Sequence, residues 1–180
     1  MGDRQEGAAV SVPEISLRLA LIEAQHLSGL VDQLTSAIAA ADETIDPAIA
    51  RLTPAPYPDD AEAAREFAAA TRDDLLDRRT ADAAVVRRAL GPFLNTDTAA
   101  PDGAGPAPEH IDVSIRRIDI DSWLRTLTAL RLVLATRLRI TDDDQYDDED
   151  PRFGVYDWLG YRLDGLVEIA DALDAPRGEG

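Results

Sequence analysis

The densest run of potential chemistry lies at positions 141–150, TDDDQYDDED, which holds seven carboxylates. Hard divalent cations take oxygen ligands, and an EF-hand loop supplies them at fixed positions. Asp142 and Asp144 match the first and third of those positions. The fifth is Tyr146, the turn position that requires Gly is Asp147, and the twelfth is Phe153 rather than Glu, so the motif fails. Three readings of the run stay open: a looser Ca²⁺ or Mg²⁺ site, a solvated acidic loop, and an electrostatic docking surface for a basic partner. In the docking reading Asp142, Asp143, Asp144, Asp147 and Asp148 form the charged rim, with Tyr156 and Trp158 following as aromatic contacts. Buried aromatics inside a polar rim are favoured at interfaces. The plainer alternative is that these rings close a small helical core.

Other residue types that could do chemistry do not assemble into a constellation. Asp59-Asp60 and Asp73-Asp74 are adjacent carboxylates, but both pairs fall where helix starts need caps. His26 and His110 are the two histidines; the first reads as a surface position of a helix and the second borders a Gly/Pro-rich stretch. There is no nucleophile elbow, no dinucleotide fingerprint and no phosphate loop. The absence of Cys removes thiol nucleophiles, disulfides and thiolate-bound zinc. No catalytic residue, cofactor-binding residue or metal ligand is therefore assigned, and the expectation is a non-enzymatic protein. The segment 72–90 carries Arg72, Arg78, Arg79, Arg87 and Arg88 among Asp73, Asp74, Asp77 and Asp82. Ion pairs along one helix account for that mixture, with nucleic-acid contact as the alternative.

Charge narrows the partner classes. The 180 residues carry 18 basic side chains, all Arg, against 35 acidic ones, a net charge of −17. Binding to duplex nucleic acid draws on phosphate neutralisation by Lys and Arg, so this field opposes it, and it opposes anionic membranes likewise. The Lys-free, Asp-rich, Ala-rich composition follows GC-rich codon usage, with high-salt solubility as a second explanation. No window approaches 18 uncharged apolar residues, so nothing is expected to span a membrane. Met1–Val10 has no apolar signal-like core, and a cytoplasmic protein is expected.

The elements that must position these residues follow from apolar periodicity. Ile15, Leu17 and Leu19 alternate with Ser16 and Arg18, a period-2 strand. Leu27, Leu30, Val31, Leu34 and Ile38 then recur at helical spacing, predicting a helix over 20–41 with Gly29 inside it as a point of close approach. Asp46-Pro47 starts a short helix that turns Ile49 and Leu52 inward. The alternating prolines of 54–58 break it. A helix is expected from the Asp59 cap to Ala70 with Phe67 as its anchor, and a separate one from a Thr71 cap to Leu90, with Leu75, Ala83, Val86 and Leu90 on the inner face and Gly91-Pro92 as the stop. Positions 95–109 read as a flexible Ala/Gly/Pro-rich loop. Ile111, Val113 and Ile115 form a second strand. Asp119 or Asp121 caps a central helix over 120–139, striped by Trp123, Leu127, Leu130, Leu134 and Leu138. A final helix runs from Arg152 or Gly154 to Leu173, with Val155, Leu159, Leu163, Leu166, Ala170 and Leu173 inward.

The expected fold is mainly α: one domain over 1–180, a bundle of about five helices with a small two-stranded β element, and flexible tails at 1–12 and 175–180. Two lone strands satisfy their backbones only by pairing with each other or with a second copy, so a homodimer is among the expectations.

Three segments carry a resemblance: PYPDDAEAAREFAAATRDDLLDRR (Pro56–Arg79), WLRTLTALRLVLATRLRITDDD (Trp123–Asp144) and YDWLGYRLDGLVE (Tyr156–Glu168). They resemble an uncharacterised actinobacterial family whose members are often encoded beside the ClpS-type adaptor of the Clp protease. Some members of that family are labelled transcriptional regulators. The resemblance implies a link to regulated proteolysis and supplies no catalytic residue. Together with the charge, it favours a protein-binding or regulatory module docking through 142–158, ahead of a transcriptional regulator using helix 72–90 and a metal-dependent protein using loop 142–150.

Overall fold

The computed structural model describes residues 14–41, 46–53, 60–94, 109–140 and 150–175. The expected tails, the 95–109 loop and the acidic run lie outside these residues, apart from Glu109, Asp150 and Ala175. Among the described residues the fold is mainly helical, with five α-helices and one two-stranded antiparallel sheet, as the periodicity predicts.

Strand β1 (Glu14–Ala20) pairs with β2 (His110–Arg116). The register sets Ile15 opposite Ile115, Leu17 opposite Val113 and Leu19 opposite Ile111. A period-2 side-chain pattern then puts all six apolar residues on one face, and β2 alternates exposed and buried residues along its whole length. The polar face carries a hydrogen bond from Ser16 Oγ to Asp112 Oδ1, 3.0 Å.

Strand β1 runs directly into α1 (Leu21–Ala39), which buries Leu27, Val31, Leu34 and Ile38. The helix starts on Ala20, which has no side chain to cap it. Glu23, at the third helical position, instead reaches back to the Ala20 N–H at 2.8 Å, the acidic half of a capping box. The short α2 (Pro47–Ala50) is capped by Asp46, whose Oδ1 accepts from the Ala48 N–H at 2.8 Å, and Ile49 and Leu52 are buried as expected.

One continuous helix, α3 (Ala61–Leu90), replaces the two expected over 59–90. Thr71 does not cap a new start. Its hydroxyl donates to the Phe67 carbonyl at 2.8 Å, a bond from residue i to i−4 that a helix interior accommodates. Asp60, one residue beyond the expected cap, accepts from the Glu62 N–H at 3.1 Å. Phe67, expected as the anchor, is 39% exposed, and Leu76 rather than Leu75 joins Ala83, Val86 and Leu90 in the core. Position 76 stands seven residues before Ala83, two helical turns and therefore the same face; Leu75 is rotated by about 100° from it.

After the 3₁₀ turn Arg117–Asp119, α4 (Ile120–Leu138) runs through the core. It packs on α1, α2, α3 and the last helix, as a helix that is apolar around most of its circumference must. Trp123, Leu127, Leu130 and Val133 are buried. Asp119 does not cap it through its side chain, because its carboxylate is held by Arg116 at 2.6 and 2.9 Å. The helix ends on Arg139 in the left-handed region, φ 58°, with the Ile140 N–H on the Ala135 carbonyl at 2.9 Å, the closure usually given to Gly.

The last helix, α5 (Gly154–Asp174), follows a 3₁₀ turn, Pro151–Phe153. Leu159 and Leu166 are buried, and Leu163, Ala170 and Leu173 pack partly buried against the core. Val155, expected inward, is 36% exposed. Gly29, expected to admit a neighbouring helix, has open space beyond its Cα; the close approach occurs at Gly160, where an added Cβ would meet the Arg131 guanidinium at 3.1 Å.

The shifted face of α3 is testable. Leu76→Ala should cost about 2–4 kcal/mol by leaving a cavity, whereas Leu75→Ala should cost under about 1.5 kcal/mol. Urea midpoints of the two variants check this, and equal losses would return Leu75 to the core.

Candidate functional site

The site is built around Glu23. Its Oε2 accepts from the Ala20 N–H at 2.8 Å and from Arg162 Nη2 at 2.6 Å, and its Oε1 accepts from Trp158 Nε1 at 2.6 Å. One carboxylate thus joins the strand-to-helix corner of α1 to two residues of α5, 135 and 139 positions away in sequence. Arg162 adds a bond of 3.3 Å to the Arg18 carbonyl of β1 and stands 5.7 Å from the Trp158 ring centre. Glu23 and Arg162 keep only 26% and 18% of their side-chain surface. Burial alone pushes the Glu23 carboxyl up, but the Arg162, Ala20 and Trp158 hydrogen bonds and the Arg162 charge outweigh it and hold it below its ordinary value of 4.5.

Beside this cluster lies a groove of about 230 Å³ between the N-terminal halves of α1 and α5, lined by Ile22, Glu23, His26, Leu30, Gly154, Val155 and Trp158. Ile22 is 64% exposed. Below the cluster, a second depression of about 270 Å³ runs between β1 and α5, from Leu17 to Tyr161, Gly165, Glu168 and Ile169. Tyr161 is 70% exposed.

The residues predicted for docking separate here. Trp158 enters the groove, with its indole N–H fixed by Glu23. Tyr156 turns the other way and lies under the Arg131 guanidinium of α4, 4.4 Å from the ring centre to Cζ. Asp142, Asp143, Asp144, Asp147 and Asp148 lie outside the described residues. Asp150, the last of the run, caps the turn before α5: its Oδ1 accepts from the Arg152 N–H at 3.0 Å and its Oδ2 from Arg152 Nε at 2.7 Å. The Arg152 guanidinium and N–H hold its carboxyl below the usual range. Ile22, His26, Leu30 and Glu23 were not singled out for docking. The available signal was Glu23 three residues after Ala20, and an amphipathic Trp whose N–H needs an acceptor.

The Arg-rich helix resolves into parts. Arg87 pairs with Asp32 at 2.7 Å, and Arg72 Nη2 donates to the Ala41 carbonyl at 3.3 Å. Arg78, Arg79 and Arg125 line a depression of about 420 Å³ with Asp82, whose Oδ1 accepts from Ser122 Oγ at 2.9 Å. Among the described residues no group of three or more His, Asp or Glu is arranged to hold a metal ion. None of the described helices is long and apolar enough to cross a membrane.

A family defined as a domain of unknown function, DUF2017, matches residues 3–170. The chain belongs to this family. The DUF2017 match spans all three segments that carry the resemblance described above. No curated protein and no solved structure matches the chain. Membership in DUF2017 brings no assigned reaction or ligand, so the chemistry of the groove has to be read from its own residues.

The Glu23 cluster predicts a pH dependence. A carboxyl with a folded-state pKa below its unfolded value stabilises the fold above the unfolded value and loses that contribution as pH falls through the folded one. Stability should therefore fall from about pH 4.5 downward, and Glu23→Gln should flatten that limb. Glu23→Ala at neutral pH should cost about 3 kcal/mol, since it leaves the mostly buried Arg162 without its carboxylate. Urea denaturation across pH, followed by Trp fluorescence, measures both.

Proposed function

We propose that this DUF2017 protein is a non-enzymatic protein-binding module that docks a partner in the groove between α1 and α5. The observation that carries the reading is the apolar lining of that groove, exposed Ile22 and Val155 with half-buried Trp158, beside a polar anchor, the Glu23–Arg162 pair. Exposed apolar surface rimmed by polar groups is the usual mark of an interaction site. Trp158 comes to this surface ready to bind, because its indole is already oriented and loses little freedom when covered. The acidic run expected to dock ends at Asp150, four residues before Gly154 of the groove, so the negative rim and the apolar lining adjoin in the chain. The resemblance to a family encoded beside the ClpS-type adaptor makes components of Clp proteolysis, in the cytoplasm, the first partners to try.

A second reading uses α3. Among the described residues Arg78 and Arg79 make no ion pair, and they share a concave surface with Arg125. This supports a transcriptional regulator as the alternative. Loss of all DNA binding at low salt, where phosphate contacts are strongest, removes it.

The test of the main reading is crosslinking in cells with the native chain and an Ile22→Asp/Val155→Asp variant. Both substitutions fall in first helical turns, where an acidic residue complements the helix dipole, so the fold should persist by circular dichroism. The expected outcome is one identified protein whose crosslinks, and whose binding when purified, are lost in the variant and kept in Asp77→Asn on the far side of α3. A partner bound equally by the variant would reject the groove.

A further inference from the structure

We infer that the partner element is a basic amphipathic helix lying along α5, with its apolar face over the two depressions and its cationic face against an acidic stripe. This inference rests on the reading of the α1–α5 groove as the docking surface and names what fills it.

The stripe is a property of α5 alone. At about 100° per residue, Asp157, Asp164, Glu168 and Asp171 fall within an arc of about 60° and extend along about 21 Å of helix. Asp164, Glu168 and Asp171 are exposed, and none of the three makes an ion pair among the described residues. Tyr161 stands at the edge of the same arc, facing solvent.

Beside the stripe, on the side toward α1 and β1, lie the two depressions, separated by the Glu23–Trp158–Arg162 cluster. Their centres on α5 are about nine residues apart, roughly 14 Å. A surface with apolar hollows on one side and carboxylates on the other fits a partner whose own apolar and cationic residues are segregated to adjacent faces. The chain's net charge of −17 adds long-range attraction for a cation and repulsion for a second copy of itself.

Contacts on the open edge of β1 favour a helical occupant. An added strand would need the open edge of β1, but the Arg18 carbonyl is already taken by Arg162. A helix needs no edge. Apolar residues at i, i+4, i+7 and i+11 share one helical face and reach both depressions, the helix-in-groove mode of recognition.

The experiment uses the full chain and a labelled 16-residue peptide of Leu, Ala, Lys and Arg, with Leu at i, i+4, i+7 and i+11. A peptide of identical composition, with Leu spread around the helix, is the comparison. Fluorescence anisotropy should give a dissociation constant at least about tenfold lower for the patterned peptide, a gap of 1.4 kcal/mol. Ile22→Asp/Val155→Asp should abolish that preference. Asp164→Asn/Glu168→Gln should weaken binding and reduce its salt dependence, while Asp73→Asn/Asp77→Asn on α3 should do neither. Equal binding of the two peptides, or equal effects of the α5 and α3 neutralisations, would overturn the inference as charge attraction without a site. If the peptides fail while a native partner is still lost on Ile22→Asp/Val155→Asp, the groove stands and the basic helix falls. If both fail, the docking reading falls with it.

Discussion

Among the described residues two strands pair with each other alone, and that pairing sets the rest of this structure. Strands β1 and β2 are separated by almost half the chain, and no third strand flanks them among the described residues. Each opens into a helix: β1 directly into α1, and β2 through a 3₁₀ turn into α4. Because the pairing is antiparallel, these helices leave from opposite ends of the ribbon. The α1 corner sits where Ala20 meets His110, and the α4 corner where Glu14 meets Arg116. Helix α5 then closes the span. Near its start it is tied to the first corner through Glu23, and near its end Arg117 of the second corner donates to the Leu173 carbonyl and pairs with Asp174, both at 2.8 Å. From residue 158 to 173 is about 22 Å of helix, and seven strand residues are about 23 Å. The helix is the right length to bridge both corners.

That bridging explains why a groove exists at all. Helix α5 packs on α4, with Leu159 and Leu166 buried, and is tied to α1 and β1 by the hydrogen bonds of Glu23 and Arg162. A carboxylate and a guanidinium fix distance and orientation well, but they do not fill volume as interdigitating apolar side chains do. Hollows remain on either side of the clasp. The Glu23 charge is largely spent on Arg162, so it adds little to the acidity of the surface. The free negative charge lies one step around the helix, at Asp164, Glu168 and Asp171.

Much of this was legible from local pattern. The change from period 2 to helical spacing at Ala20, the Asp46-Pro47 start, the Gly91-Pro92 stop and the apolar circumference of α4 each follow from residues close in sequence. What was not legible depended on tertiary partners. Thr71 has the side chain of a cap, yet with helix continuing on both sides its hydroxyl turns to the Phe67 carbonyl. Asp119 sits at a helix start, yet Arg116 takes its carboxylate. Leu75 and Leu76 are adjacent and chemically alike, and only the direction of the core chooses between them. Trp158 and Tyr156 read as one aromatic patch because they are two residues apart, about 200° around a helix, which sends them to different neighbours. Glu23 drew no reading from the sequence. Nothing within its own helix announces a Trp and an Arg more than 130 residues away.

Composition explains how many carboxylates the chain has, and leaves open where they stand. Many of the described ones have structural partners: Asp46 and Asp150 cap, Asp32 and Asp119 pair with Arg, and Asp82 holds Ser122. The α5 stripe is different. Asp164 and Glu168 are like charges at i, i+4, and Glu168 and Asp171 at i, i+3, spacings that cost an isolated helix about 0.2–0.5 kcal/mol each. Asp171 and Asp174 also lie near the negative end of the helix dipole, with no basic residue of α5 in that turn to balance them. Arg117 offsets Asp174 from outside the helix, and the described structure provides no such compensation for the other three. A helix selected only for stability would interleave Arg here, as α3 does. These charges weaken the element that bears them, and they stand in register beside hollows that the core leaves unfilled.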